Sequence, residues 1–334
     1  MVPSPDRRVS DTNVCIGNYR KNPARTAEEP RTPGSGMLET DRRDLYATGN
    51  LARTCPADWS LGLARFAQTC YNSRITESIE CKAVSAKKLM LSPTRISAFL
   101  ECPLKYKFLY VDRIGKFYYR PKPGNAFGST LHRVLRALHQ PGAKAVSVEQ
   151  LIENYRRAWV SAGYANRDQE QEFLAAGEQI LRGYHSVRRA EGVKTLLTEK
   201  MVKWDMGEFI LAGRLDRLDE HPDGALEIMD YKSGRIAATG EDVRSDLAMS
   251  IYQLIVRRLN PERRVFGSIY CLAGGMKASA ELSEEELAEV DEAAHGVASA
   301  IMGEEEYEPH RWEGCEECDF YRLCARQSWF RSEE

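Results

Sequence analysis

Apolar residues are sparse and without period over the first forty positions, where P-S-P, N-P, E-E-P and T-P-G-S-G segments interrupt every run. Such a stretch buries too little apolar surface to offset the entropy of ordering it. Residues 1–90 are therefore expected to be a disordered or poorly structured extension, with one folded domain over 91–330. From Leu91 the texture changes. In L-S-P-T-R-I-S-A-F-L-E-C-P, Ser97 is a candidate N-cap for a short helix. Leu131, Val134, Leu135 and Leu138 recur at helical spacing and predict an amphipathic helix over Gly128–His139. Leu151, Tyr155 and Trp159, then Ile180, Leu181 and Tyr184, mark further helices, so a helical insertion is expected over about 140–195.

After Thr198 the apolar period falls to two. Glu199–Trp204, Phe209–Asp216 and Ala225–Tyr231 are predicted strands, and Asp205-Met206-Gly207 and His221-Pro222-Asp223-Gly224 are the turns of an antiparallel meander. Leu247–Leu259 reads as a helix stopped near Asn260-Pro261, Val265–Leu272 as a strand, and Ser283–Met302 as an acidic helix opened by the capping pattern S-E-E-E. The pattern predicts an α/β domain with a small mixed sheet flanked by helices.

Composition narrows the setting. The chain has 334 residues, 43% hydrophobic and 29% charged, enough for one large or two ordinary domains. Its apolar runs are too short to span a bilayer, and the first thirty residues hold no secretory apolar core. A cytoplasmic protein without membrane contact is expected. Nine cysteines in that setting imply thiols that bind metal or stay free. Residues 1–90 hold 14 Lys/Arg against 10 Asp/Glu, and residues 91–334 hold 33 against 39. Bulk charge thus does not make the main domain a nucleic-acid binder, and local clusters or bound cations would have to attract a polyanion. No G-x-x-x-x-G-K-[ST] is present, so this chain encodes no P-loop motor.

Two constellations carry chemistry. Asp216 and Asp230 fall at the ends of adjacent predicted strands, with Lys232 two residues on. Alternation puts Asp230 and Lys232 on one side and turns Tyr231 to the core, so a divalent cation between carboxylates would lie beside an ammonium group. That combination suits phosphodiester hydrolysis. Asp219 and Glu227 stand three residues from the two aspartates and are read as peripheral, and His139 as structural. The second constellation is Cys102, far upstream of the C-x2-C-x5-C run Cys315, Cys318 and Cys324. Four thiolates can close a zinc site or hold an iron–sulfur cluster, and the 3+1 split beside Phe320, Tyr321 and Leu323 suits a cluster better than zinc. Cys271 reads as a buried thiol, and Cys15, Cys55, Cys70 and Cys81 form no ligand pair. Lys105, Lys107, Arg113, Lys116, Arg120 and Lys122 interleave with Tyr106, Tyr110, Tyr118 and Tyr119, a composition that suits single-stranded DNA.

The motifs G-S-T-L-H, G-R-L-D-R and D-Y-K-S-G, over roughly residues 91–330, resemble those of the PD-(D/E)XK nuclease superfamily, and within it the RecB-like exonuclease family. The resemblance implies a restriction-endonuclease-like core, magnesium or manganese held by His132, Asp216 and Asp230, and Lys232 as the catalytic lysine. It implies hydrolysis of DNA, as a single-strand exonuclease in repair or recombination, with a helicase or repair partner. The four cysteines resemble the iron–sulfur branch, which includes AddB-type nucleases and CRISPR adaptation nucleases. That branch implies a 4Fe-4S cluster on Cys102, Cys315, Cys318 and Cys324. The family often carries Gln four residues before a Tyr on the helix after D-Y-K. Here Ala248 takes that place and Gln253 follows Tyr252, so Tyr252 and Gln253 are the candidate DNA or active-site contacts. An acid at the position of Glu199 is also frequent, and no role is assigned to it. The alternatives are a CRISPR adaptation nuclease, against which the helical insertion argues, and a catalytically silent cluster-bearing scaffold, against which intact Asp216, Asp230 and Lys232 argue.

Overall fold

The first described element is a strand of three residues, Leu89–Leu91 (β1). The computed structural model describes residues 88–188 and 192–331. The expectation for residues 1–87, with Cys15, Cys55, Cys70 and Cys81, lies outside the described residues.

Helix α1, Pro93–Glu101, begins at Ser92, whose hydroxyl accepts from the Arg95 amide. Ser97, expected as the cap, lies inside the helix, because Pro93 already sets the first turn at the N1 position. A short helix follows at Pro103–Tyr106 (α2), then a π-turn at Lys107–Val111 and α3 at Gly115–Tyr118. The predicted amphipathic helix starts five residues before its expected first residue Gly128, again at a proline: α4 is Pro123–His139. Two helices fall in the range of the expected insertion: α5, Val148–Ala158, and α6, Arg167–Arg188.

Strands β2, Lys194–Asp205, β3, Phe209–Glu220, and β4, Leu226–Lys232, form the expected meander, with the first two longer than predicted. Helices α7, Gly240–Ser245, and α8, Leu247–Leu259, lead to β5, Val265–Cys271, and its hairpin partner β6, Met276–Ala280. The acidic helix α9 is Glu284–Gly303, capped by Ser283 and Glu286 reciprocally. A 3₁₀ turn at Glu313–Glu317 and short helices at Tyr321–Cys324 (α10) and Ser328–Arg331 (α11) complete the described chain.

The sheet has six strands in mixed order. β1 and β3 are parallel, β3 is antiparallel to both β2 and β4, β4 and β5 are parallel, and β5 and β6 are antiparallel. β2 pairs along one edge of β3 from Ile210 to Glu220. The opposite edge is shared: β1 takes Phe209–Leu211 and β4 takes Arg217–Glu220. Residues 212–216 are left with no strand on that edge. β3 and β4 therefore part as a fork at Asp216. Leu91, Phe209 and Leu211 pack with α1, α8 and α9. Met229, Tyr231 and Tyr270 pack with α4, α5 and α6.

Candidate functional site

The fork decides where the chemistry sits. Arg217 pairs with Met229, and continuing that register would oppose Asp216 to Asp230, but the ladder stops there. The Tyr231 amide, which would have met a backbone carbonyl, donates to Asp216 Oδ2 at 2.9 Å. Asp216 was expected at a strand end. It lies inside β3, and the end that matters belongs to the β3–β4 pairing. Opposed carboxylates repel across a strand pair. The strain is visible in Asp230, which burial and the charges of Asp216 and Asp246 push up to about 6 despite the opposing pull of Lys232.

His132 projects from α4 into the fork. Its Nε2 lies 2.9 Å from the Tyr231 carbonyl, so this nitrogen carries the hydrogen and donates it. Nδ1 then faces Asp216 Oδ1 at 3.2 Å and Glu199 Oε1 at 3.6 Å. Burial acts to lower the imidazole pKa, but hydrogen bonds to Asp216 and Glu199 and the charges of Asp216 and Asp230 prevail and lift it to about 10. The same contact to His132 holds the Glu199 carboxyl below its usual range. A lone pair aimed at two carboxylates is favourable only with a proton or a cation among them. His132, Glu199 and Asp216 offer ligand atoms within 4.8 Å of one another, the one such group of three or more among the described residues. Glu199, which the sequence left without a role, joins the centre. It sits in β2 at φ 47°, a left-handed conformation uncommon for glutamate. Hydrophobic alternation could not have found it, since the local irregularity turns it toward His132. Its other oxygen pairs with Arg214 at 3.2 Å.

Asp230 and Lys232 project together, as i and i+2 should, while Tyr231 is buried. Lys232 Nζ is 3.0 Å from Asp230 Oδ2 and 3.3 Å from Asp246 Oδ2. Asp246 is the N-cap of α8, its other oxygen accepting from the Met249 amide at 3.0 Å. Desolvation alone would lower the lysine pKa, but these two carboxylates hold it well above its usual range. The ammonium is therefore permanent at neutral pH. Asp230 Oδ2 is buried without a hydrogen bond of good geometry, an acceptor with capacity left over.

Tyr252 reaches the site from α8, and Gly213 of β3 makes room for it: a Cβ there would lie 2.3 Å from the ring. Tyr252 lines an open cleft of about 720 Å3 with His132, Glu199, Asp216, Arg136 and Arg214. Gln253, expected as a companion contact, does not reach the cleft. It is buried on another side of α8, where its Oε1 accepts from the Leu282 amide at 3.1 Å. One residue along a helix is a rotation of about 100°, so Gln253 cannot replace a side chain four residues before Tyr252.

Beneath the site lies a buried polar layer. Arg217 pairs with Asp219 at 2.7 Å and meets the hydroxyls of Tyr184 and Tyr231 at 2.9 and 2.8 Å and the His139 ring. Glu227 accepts from Ser268, Lys277 and His221. These groups brace the sheet and do not face the cleft.

The sequence profile of the PD-(D/E)XK nuclease superfamily matches residues 90–325. The chain belongs to the PD-(D/E)XK nuclease superfamily. Its six-stranded mixed sheet flanked by helices is the restriction-endonuclease-like core of that superfamily. Part of this PD-(D/E)XK chain is similar to an ATP-dependent helicase/deoxyribonuclease component of Streptococcus pyogenes serotype M12 (strain MGAS2096), at 28% identity over 151 residues, 43% of this chain and 14% of that protein. The serotype M1 protein of the same name matches at the same identity and coverage. The chain thus spans only a small part of the curated relatives it matches. A crystal structure of a candidate exonuclease from Eubacterium rectale superposes with a TM-score of 0.43 at 15% identity, covering 75% of this chain and 94% of that one.

The four cysteines of this PD-(D/E)XK domain come together at its two ends. Cys102, between α1 and α2, lines a small cavity with Cys315, Cys318, Cys324, Trp312 and Phe320. The His310 amide points at Cys102 Sγ and the Trp312 amide at Cys315 Sγ, each at 3.4 Å. Burial and the neighbouring thiols push Cys324 up to about 11, and burial likewise raises Cys318. No three of these sulfurs lie within 4.8 Å of one another. Tetrahedral zinc, with Zn–S bonds of about 2.3 Å, would draw them to about 3.8 Å apart. Among the described residues no helix is long and apolar enough to cross a membrane.

Proposed function

We propose that this protein is a divalent-metal-dependent deoxyribonuclease that hydrolyses phosphodiester bonds of single-stranded DNA from an end, in repair or recombination. The observation that carries the reading is the His132 ring, whose Nε2 is committed to the Tyr231 carbonyl while Nδ1 converges with Asp216 and Glu199. His132, Asp216 and Asp230 would hold magnesium or manganese, with Glu199 as a further oxygen ligand. A divalent cation held there would supply charge neutralisation at the phosphate and a more acidic water.

The chain's own residues supply the rest. Lys232, kept protonated between Asp230 and Asp246, is a fixed cation for a phosphate oxygen and cannot serve as a base. Arg136 and Arg214 at the cleft wall attract the strand to an otherwise acidic domain. Tyr252 lines the cleft, and burial with the carboxylates of Asp230 and Asp216 keeps its hydroxyl protonated, so it is available to donate to a phosphate oxygen. Hydrolysis adds a water oxygen to phosphorus and releases the bridging oxygen as a hydroxyl.

A structural 4Fe-4S cluster on Cys102, Cys315, Cys318 and Cys324 completes the proposal, supported by the thiol spacing and the amides aimed at sulfur. It would tie α1 to the C-terminal turns and sit apart from the catalytic fork. The name of the Streptococcus relatives joins helicase and deoxyribonuclease, and a helicase partner is proposed for this chain on that basis.

The test is degradation of end-labelled single-stranded DNA by the purified full chain with manganese, beside Asp230→Ala and Lys232→Met. Loss of about two to three orders of magnitude or more in each variant is expected, in line with removal of a principal charge-stabilising group. Equal signals from all three proteins would make the chain a scaffold.

A further inference from the structure

Most of the basic and aromatic residues between 105 and 122 are used inside the fold. Tyr106 is buried, Tyr110 lies under Arg95, and Tyr118 packs on Phe320. Lys105 pairs with Glu101 and Lys107 with Asp112, while Arg120 and Lys122 donate to the carbonyls of Cys318 and Glu317. The expectation that the whole stretch contacts DNA is corrected accordingly: its larger part seats the cysteine module.

What remains outward is a small group on and beside α3. Phe117 is 73% exposed and Tyr119 is 56% exposed. Lys116 Nζ stands 4.8 Å from the Phe117 centroid. Arg113 is exposed on the preceding turn, at φ 57°. Neither cation pairs with a carboxylate among the described residues.

The backbone beneath these side chains is held firmly. The Tyr118 and Phe320 rings are 5.7 Å apart. Arg120 Nη2 donates to the Cys318 carbonyl at 2.9 Å. On the other side, Gly163 of the insertion abuts Pro121 so closely that a Cβ there would lie 2.7 Å from its carbonyl carbon. Directly after Lys122 begins α4, whose Gly124, Asn125 and Ser129 line the cleft containing His132 and Asp216. Gly124 is five positions after Tyr119, at most about 18 Å of chain.

We propose that Phe117 and Tyr119 are a stacking platform for unpaired bases of the strand whose phosphates continue into the cleft, with Lys116 and Arg113 on its backbone. This rests on the nuclease reading above and adds where the substrate is held outside the reacting phosphate. Exposed rings beside unpaired cations match the two faces a single strand presents, base planes and phosphates. A duplex keeps its base planes stacked inside and gives the rings nothing to cover, so the platform selects for unpaired DNA.

The experiment uses the full chain with chelator present, a fluorescein-labelled oligo-dT and a blunt hairpin, read by anisotropy. Phe117→Ala/Tyr119→Ala should bind oligo-dT about tenfold or more weakly per ring lost, the range known for base stacking. Phe117→Leu/Tyr119→Leu, which keeps apolar area without the π face, should be nearly as weak, and hairpin binding should not change. With manganese, cleavage of bis(p-nitrophenyl) phosphate, too small to reach the platform, should match wild type in both variants, with an unchanged melting temperature. If wild type cleaves DNA while the alanine pair binds oligo-dT equally well, the platform is overturned and the nuclease stands. If wild type neither binds nor cleaves single strands, the nuclease reading fails and the platform with it. If the alanine pair loses only its association with a helicase partner, the patch is a protein interface and the proposal is wrong.

Discussion

Replacing Arg217 by methionine probes the layer on which the catalytic fork rests. Arg217 and Asp219 are 1% and 0% exposed and 2.7 Å apart. Methionine retains much of the apolar stem but leaves Asp219 as a buried charge without its counter-ion, and frees the hydroxyls of Tyr184 and Tyr231 from a shared donor. Breaking one side of a buried pair costs about 3–5 kcal/mol. With unfolding entropy near 2.1 cal/mol/K per residue over about 240 described residues, the midpoint should fall by ~6–10 °C. Burial already holds the Asp219 carboxyl above its usual range against the pull of Arg217, and loss of the guanidinium moves it further up. A carboxyl with a raised folded pKa favours the fold at pH below its unfolded value, and that contribution is lost as pH rises through the folded value. The deficit of the variant should therefore be largest near about pH 8 and shrink toward about pH 5, as protonation replaces the missing partner. Arg217→Met/Asp219→Leu should recover most of the loss, because it removes both charges. Circular-dichroism melts across that range decide the matter. A midpoint within about 2 °C of wild type at the alkaline end, or a double variant no better than the single one, would refute the reasoning.

Three further outcomes follow from other contacts. Gly213→Ala brings a Cβ to 2.3 Å from the Tyr252 ring, which should cost ~1–3 kcal/mol by chemical denaturation, and Gly213→Ala/Tyr252→Leu should regain stability but not DNA cleavage. Burial acts to raise the Glu227 pKa, but Ser268, Lys277 and His221 bring it below the usual carboxylate range; a depressed carboxyl stabilises above its unfolded value and that support is lost as pH falls through the folded one, so Glu227→Gln should be less stable at neutral pH and show a flatter acid limb in pH-dependent melts. Cys318→Ser should abolish a broad visible absorbance and acid-labile sulfide in anaerobically prepared protein and open the segment from His310 onward to limited proteolysis, whereas retention of zinc alone in wild type would exclude the cluster.

Much of the fold could be read directly from the chain because its elements are capped and periodic. Leu247–Leu259 and the Ser283-capped helix begin and end where local signals say, since Asp246, Ser283 and Asn260-Pro261 act within a turn of their targets. The caps missed at Ser92 and Lys122 share one cause: a proline at N1 starts a helix before its apolar stripe appears. Strand β1 is three apolar residues with no alternation, and β6, whose five residues alternate too briefly to stand out in the sequence, pairs along the edge that β5 offers it.

Residue order was enough to say which chemical groups are present: D-Y-K with its i, i+2 geometry, the histidine on an amphipathic helix, the cysteine run and its distant fourth member. Those depend on residue identity and on periods of two or four positions, which the backbone enforces locally. It took the assembled sheet and helices to bring Glu199 into the centre, to set Asp246 against Lys232, to turn Gln253 away, and to make Asp216 accept the Tyr231 amide where two strands part. Each of those is set by where a register stops or a helix rotates against a sheet, and pairing over tens of residues leaves no trace in any local window.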